Sequence, residues 1–165
     1  MGGGTPLPQE GRMNAIQFLK KQHAEAKQGF QKIEQASGKQ RGQLWKHLSP
    51  QLKLHEQMEE KHLYGPVAQE TNDPALASWP DKHAREVHEA EQLIATIDGE
   101  SPEDREWLDT VKRLHAALEK HIHEEEQEIW PKIERVWDKA RLEQAGERLE
   151  ALKQEGGREQ ARKRA

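Results

Sequence analysis

The sequence predicts an all-α fold: an antiparallel up-down-up-down four-helix bundle with a short additional C-terminal helix. Three observations predict it. Apolar residues recur at alternating spacings of three and four in several segments punctuated by Gly and Pro. Hydrophobic residues make up 33% and charged residues 34% of the 165 positions, a balance that suits helices burying only a narrow stripe. One polar pattern, His-x3-Glu-Glu-x2-(Leu/Ile)-aromatic followed by Pro, is written twice, at residues 55–66 and 121–131, in register with two of those stripes.

Taken in order, residues 1–12 are rich in Gly and Pro and read as a disordered N-terminal segment. The bundle domain is expected over 13–155. Helix one runs from about Met13 to Ser37 on a seam of Ile16, Leu19, His23, Ala26, Phe30 and Ile33, and stops at Gly38. Helix two runs from about Gln43 to Tyr64 on Leu44, Leu48, Leu52, His55, Glu59 and Leu63, with a kink expected at Pro50 and a stop at Gly65-Pro66. A polar loop holding Asn72-Asp73-Pro74 and Trp79-Pro80 leads to helix three, about Asp81 to Ile97. Helix four is expected to be capped by Ser101, with Pro102 at the first helical position and Asp104 completing a capping box. Its seam is Trp107, Val111, Leu114, Leu118, His121, Glu125 and Ile129, and Pro131 ends or bends it. A short amphipathic helix follows, about Asp138 to Gln154, before Gly156-Gly157 opens a charged tail over 156–165.

Composition removes several function classes. There is no Cys, so disulfides, thiolate-held zinc, iron–sulfur clusters and thiol nucleophiles are excluded. No run of about 18 apolar residues is present, so no membrane span is expected. The N-terminal MGGGTPLPQEGR has no apolar signal core, and the expected location is the cytoplasm. With a formal net charge of −4 and no basic face, nucleic acid is not an expected partner.

The doubled motif carries the chemistry. Residues four apart on a helix point the same way, so His55 with Glu59, and His121 with Glu125, each present an imidazole and a carboxylate on one face. His23 occupies a core position on helix one. Burying such groups is costly unless they are paired, and a metal ion pairs all of them at once. Helix three must complete the set. His88 is preferred because it lies mid-helix, whereas His83, about 140° round the helix from it, falls in the first turn of a helix starting at Asp81. Glu91 shares the His88 face and reads equally as an acceptor for a ligand imidazole or as a solvated charge. His47, His115 and His123 read as surface or boundary residues, and His62 as a helix-end residue on the His55 face. Glu60 and Glu126 read as solvated, although a local helix deformation would bring a five-residue step within reach of a metal. The expected metal ligands are therefore His23, His55, Glu59, His88, His121 and Glu125.

These residues resemble the hemerythrin-like family, the HHE cation-binding domain. The similarity is carried by FLKKQHAEA around His23, HEQMEEKHLYGP around His55, VHEAEQLI around His88 and HIHEEEQEIWP around His121. The resemblance implies a non-haem, carboxylate-bridged pair of iron ions, with the four histidines as terminal ligands and Glu59 and Glu125 as bridges. Manganese and zinc suit the same donors. Oxygen-carrying members have a second His four residues from the first on helix three. Here Ala84 and Gln92 stand four residues either side of His88, which implies open coordination and a likeness to members linked to nitric oxide, peroxide or iron handling. The expected function is binding or turnover of a small oxidant (O2, nitric oxide or hydrogen peroxide), with a reductant of unknown identity. The alternative is a non-catalytic iron-sensing or storage module signalling through a partner.

Overall fold

The structure, a computed structural model, describes residues 13–164. The segment 1–12 expected to be disordered lies outside the described residues. The described chain is helical, with short turns between helices and no strand among them. Helix α1 spans Ala15–Gln35. Asn14 caps it through a reciprocal pair of bonds: its side chain accepts from the Gln17 amide at 2.9 Å, and the Gln17 side chain accepts from the Asn14 amide at 3.1 Å. Helix α2 spans Gly38–Glu59 and keeps Pro50 in its interior.

Neither His-Glu motif ends its helix. After α2 the backbone widens into a π turn, Glu60–Tyr64, and continues as α3, Gly65–Glu70. Helix α5, Arg105–Glu124, passes in the same way through a π turn, Glu125–Ile129, into α6, Trp130–Val136. The common cause is the proline. Pro66 and Pro131 have no N–H to donate, and a proline ring crowds the carbonyl one turn back. Each chain segment takes in an extra residue just before the proline: the Gly65 amide reaches back to the Glu60 carbonyl and the Trp130 amide to the Glu125 carbonyl. Each proline then sits in the first turn of the resumed helix, where its missing donor costs nothing. The expected stop at Gly65-Pro66 is thus corrected to a bulge.

Helix α4 spans Pro74–Gly99. It starts seven residues before the expected Asp81, because Asp73 caps it, accepting from the amides of Ala75 (2.9 Å) and Leu76 (3.3 Å), with Pro74 at the first position. Trp79-Pro80 lies inside this helix and not in a loop. The expected cap at Ser101 is replaced by a turn, in which the Asp104 amide donates to the Ser101 carbonyl at 3.0 Å, and α5 begins only at Arg105.

Helix α7, Lys139–Arg164, has 26 residues. The short helix and charged tail expected here are corrected: the helix runs straight through Gly156-Gly157. It lies across α1 and α2. The contact with α1 is close enough to require glycine, since a Cβ at Gly146 would lie 2.3 Å from the Met13 carbonyl oxygen.

Apolar side chains form two clusters. One gathers Leu19, Met58, Leu63, Leu76, Trp79, Ile129, Trp130 and Leu149. The other gathers Phe30, Ile33, Leu48, Leu52, Ala90, Ile94, Trp107 and Leu114. Helices α1, α2 and α4, and α5 with its π turn, each cross from one cluster to the other, and the crossing is polar on all four. His23 falls between Leu19 and Phe30, His55 between Leu52 and Met58, His83 between Trp79 and Ala90, and His121 between Leu114 and Ile129. No helix among the described residues is long and apolar enough to cross a membrane.

Candidate metal centre

The polar layer holds two groups of donor atoms. His23, His55, Glu59 and Glu125 form one; Glu56, Glu59, His83 and His121 form the other; within each group the donor atoms lie within 4.8 Å of one another. Glu59 belongs to both. Glu125 Oε1 lies 3.6 Å from His23 Nε2 and 3.0 Å from His121 Nε2, so it also faces both groups. Glu59 Oε1 lies 3.3 Å from His55 Nε2 and 3.4 Å from His83 Nε2. Glu59 and Glu125 are each 0% exposed.

Five of the sequence-predicted residues are brought together here: His23, His55, Glu59, His121 and Glu125. His88 is not. It lies exposed on α4, 3.3 Å from the Gln92 side chain, while His83, 2% exposed, takes the place expected of it. The correction follows from the early start of α4: nine residues into the helix, His83 continues the seam Leu76, Trp79, His83, Ala90, Ile94, Ile97. The positions four residues either side of His83 are Trp79 and Val87, so the second helix-three histidine of oxygen carriers is missing in this register too. Glu91 and Gln92 are exposed. His47 and His123 are exposed, and His62 and His115 half-buried.

Two further carboxylates join the site: Glu56, which was not foreseen, and Glu126, which was expected to be solvated unless the helix deforms locally. Glu56 Oε2 approaches His83 Nε2 to 3.0 Å. Its signal was available, since Glu56 follows His55 directly and is one turn before Glu60, but a stretch of three carboxylates, Glu56, Glu59 and Glu60, gives no reason to single it out. Glu126 accepts from His23 Nδ1 at 2.9 Å, because the π turn rotates it inward.

The imidazoles divide their nitrogens. All four present Nε2 to the carboxylates of the layer. On the other side His23 Nδ1 donates to Glu126, His55 Nδ1 to the Gln22 side-chain oxygen at 2.7 Å, and His121 Nδ1 to Glu86. An acceptor at Nδ1 fixes the tautomer that leaves the Nε2 lone pair free. His23 Nε2 and His55 Nε2 then face each other at 3.1 Å, acceptor to acceptor, which requires a proton or a metal ion between them.

Protons take that role in the metal-free protein. Burial and the neighbouring His55 push His23 down to about 4. Against the opposing effect of burial, the charge of Glu59 raises His55 to about 9. Burial also opposes the rise of His83 to about 10, driven by the adjacent carboxylates of Glu56 and Glu59, and of His121 to about 12, driven by Glu125. Burial and the charge of Glu59 push Glu125 well above the carboxylate range, while His55 overcomes burial to hold Glu59 well below it. Tyr64 stands over the pair. Its hydroxyl donates to Glu125, lies 3.2 Å from Glu59 Oε2 and accepts from the Trp130 indole at 2.8 Å.

Even so, Glu56 Oε2, Glu59 Oε1, His83 Nε2, His121 Nε2 and Glu125 Oε1 are buried without a hydrogen-bond partner. Their close approaches lack hydrogen-bond geometry because they converge on points between them. Buried polar atoms are seldom left unpaired, and this many in one layer fits metal ions held by imidazole nitrogen and carboxylate oxygen.

Comparison with known proteins agrees. None of the curated proteins matches this chain. Among solved structures, a hemerythrin HHE cation-binding domain-containing protein from Mycobacterium kansasii is similar, with a TM-score of 0.76 and 25% identity over 93% of each chain. The family model for the hemerythrin HHE cation-binding domain matches residues 14–133, the stretch that contains every donor of the polar layer. The chain therefore belongs to the hemerythrin HHE cation-binding domain family.

Proposed function

We propose that this chain holds two iron ions in its polar layer and there binds or turns over a small oxidant: O2, nitric oxide or hydrogen peroxide. In this reading α1, α2 with α3, α4, and α5 with α6 run up, down, up and down as an antiparallel bundle, and α7 lies against it. His23, His55, Glu59 and Glu125 hold one ion. Glu56, Glu59, His83 and His121 hold the other, and Glu59 and Glu125 bridge. The observation that carries this reading is the set of five converging donor atoms without hydrogen-bond partners. Iron suits the mixed imidazole and carboxylate donors, and when bound it supplies one-electron chemistry and an open coordination position.

The protein's own part is binding, orientation and exclusion of water. Gln22, Glu86 and Glu126 keep a proton on Nδ1 of three imidazoles and aim their Nε2 atoms. Tyr64, pushed well above its ordinary range by burial and by the two carboxylates, keeps its hydroxyl proton and offers it at the carboxylate pair. A cavity of about 290 Å³ reaches His23, His55 and His121 past Phe30, Leu48 and Ile122. Its largely apolar wall favours a small uncharged molecule over an ion.

Rapid mixing of iron-loaded and zinc-loaded protein with nitric oxide and with hydrogen peroxide tests the proposal. The iron form is expected to take up nitric oxide and consume peroxide, and the zinc form to do neither. An iron form inert to both would overturn the reading in favour of a metal-sensing or storage module acting through a partner.

A further inference from the structure

The cavity beside the polar layer is larger than passage of a diatomic molecule requires, and it carries a polar feature that such passage does not use. An apolar cavity of about 150 Å³ is enough for a benzene ring, and this one is about 290 Å³. Ala26, Phe30, Leu48, Leu52, Leu118 and Ile122 supply apolar wall, and His115 lines it away from the metal-binding residues.

His115 lies flat on Phe30, with ring centroids 4.7 Å apart and planes 5° from parallel. Its Nδ1 donates to Glu34 Oε1 at 2.9 Å, and Glu34 is not part of the cavity wall. In the neutral ring with its proton on Nδ1, Nε2 is an acceptor. Glu119 Oε1, a second acceptor, lies 3.1 Å from Nε2, and Nε2 is buried without a hydrogen-bond partner in the protein. Two acceptors beside an apolar wall lack one thing, a donor. A neutral hydroxyl supplies it, whereas a carboxylate anion has no proton to give and brings only further acceptors. The stacked Phe30–His115 pair offers a flat wall, which suits a flat ring.

We infer that this cavity is a binding site for a neutral phenol, its ring among the apolar side chains and its hydroxyl donating to His115 Nε2. The inference rests on the cavity and is independent of which metal, if any, the neighbouring donors hold.

Calorimetric titration of the full chain, both metal-free and iron-loaded, tests it with 4-ethylphenol, ethylbenzene and 4-ethylbenzoate. Saturable binding of 4-ethylphenol is expected in both forms. Ethylbenzene should bind about tenfold more weakly, the effect of losing one hydrogen bond, and 4-ethylbenzoate more weakly still. Ala26→Phe, which fills the cavity from α1, should abolish 4-ethylphenol binding while metal content and thermal midpoint are retained. His115→Phe keeps the ring stack and should lower 4-ethylphenol to the affinity of ethylbenzene. Absence of 4-ethylphenol binding to the unmodified chain overturns the inference, as does binding that persists in a folded Ala26→Phe variant. So does equal affinity for 4-ethylphenol and ethylbenzene in the unmodified chain, a result that depends on no variant folding.

Discussion

His121 turns one ring nitrogen toward Glu125 and donates to Glu86 with the other, and that division of labour is the smallest unit of the layer. Losing the Nδ1 acceptor frees the ring to turn and to change tautomer without removing a donor from the layer. Glu86→Ala is therefore expected to weaken metal affinity about 10–100-fold while leaving stoichiometry intact at saturating metal; competition against a metal-binding dye measures it, and unchanged affinity would remove Glu86 from the account. At this scale the sequence was readable where residues recur at helical spacing. His55 with Glu59 and His121 with Glu125 announce themselves because each pair interrupts an apolar stripe on its own helix. Glu56 and Glu86 do not, because 30 acidic residues in the chain give no local reason to choose them and their partners come from other helices.

The helices were legible in number, each π turn counted with the helices it joins, and in every seam but that of helix three, but not in their ends. Trp79-Pro80 and Gly156-Gly157 are breaker signals, and both lie inside helices. At Trp79-Pro80 the cap Asp73 and the buried Leu76 and Trp79 outweigh one lost backbone bond, and misreading this start moved the whole helix-three register from His83 to His88. At Gly156-Gly157 the helix persists at a cost, because glycine gives up more backbone freedom than alanine. Gly157 has nothing within 4 Å of an added Cβ, whereas Gly146 faces the Met13 carbonyl oxygen at 2.3 Å. Gly157→Ala should thus stabilise the chain by about 0.5–1 kcal/mol, and Gly146→Ala should destabilise it by about 1–3 kcal/mol as α7 is pushed off α1. Denaturant unfolding of the two variants reads the signs directly; a stabilising Gly146→Ala would contradict the close packing of α7. The two π turns were foreseen only as possible stops, since a proline read locally says that a bond is lost and not how the chain absorbs the loss.

Across the whole molecule, the polar layer sits between two apolar clusters and ties α2, α4 and α5 to α1, so its protonation and metal state bear on global stability. The metal-free fold binds protons that the unfolded chain releases: His55, His83 and His121 rise from 6.5 to about 9, 10 and 12. A raised folded value contributes stability that is complete below 6.5 and is lost as pH climbs through those folded values. Metal-free protein should therefore lose stability steadily from neutral pH toward pH 10. Metal-loaded protein uses neutral imidazoles, so its stability should instead hold above about 6.5 and fall on acidification below it, where the unfolded chain takes up protons. Thermal midpoints across pH would show the two slopes, and parallel profiles would argue that the histidines do not hold the metal. The central claim, that this layer holds two metal ions with His83 among their ligands, is tested most directly by the iron content of anaerobically reconstituted protein after desalting. The account predicts about two irons per chain for the unmodified protein and for His88→Ala, and about one for folded His83→Ala. Full retention in His83→Ala, or an equal loss in His88→Ala, would contradict it.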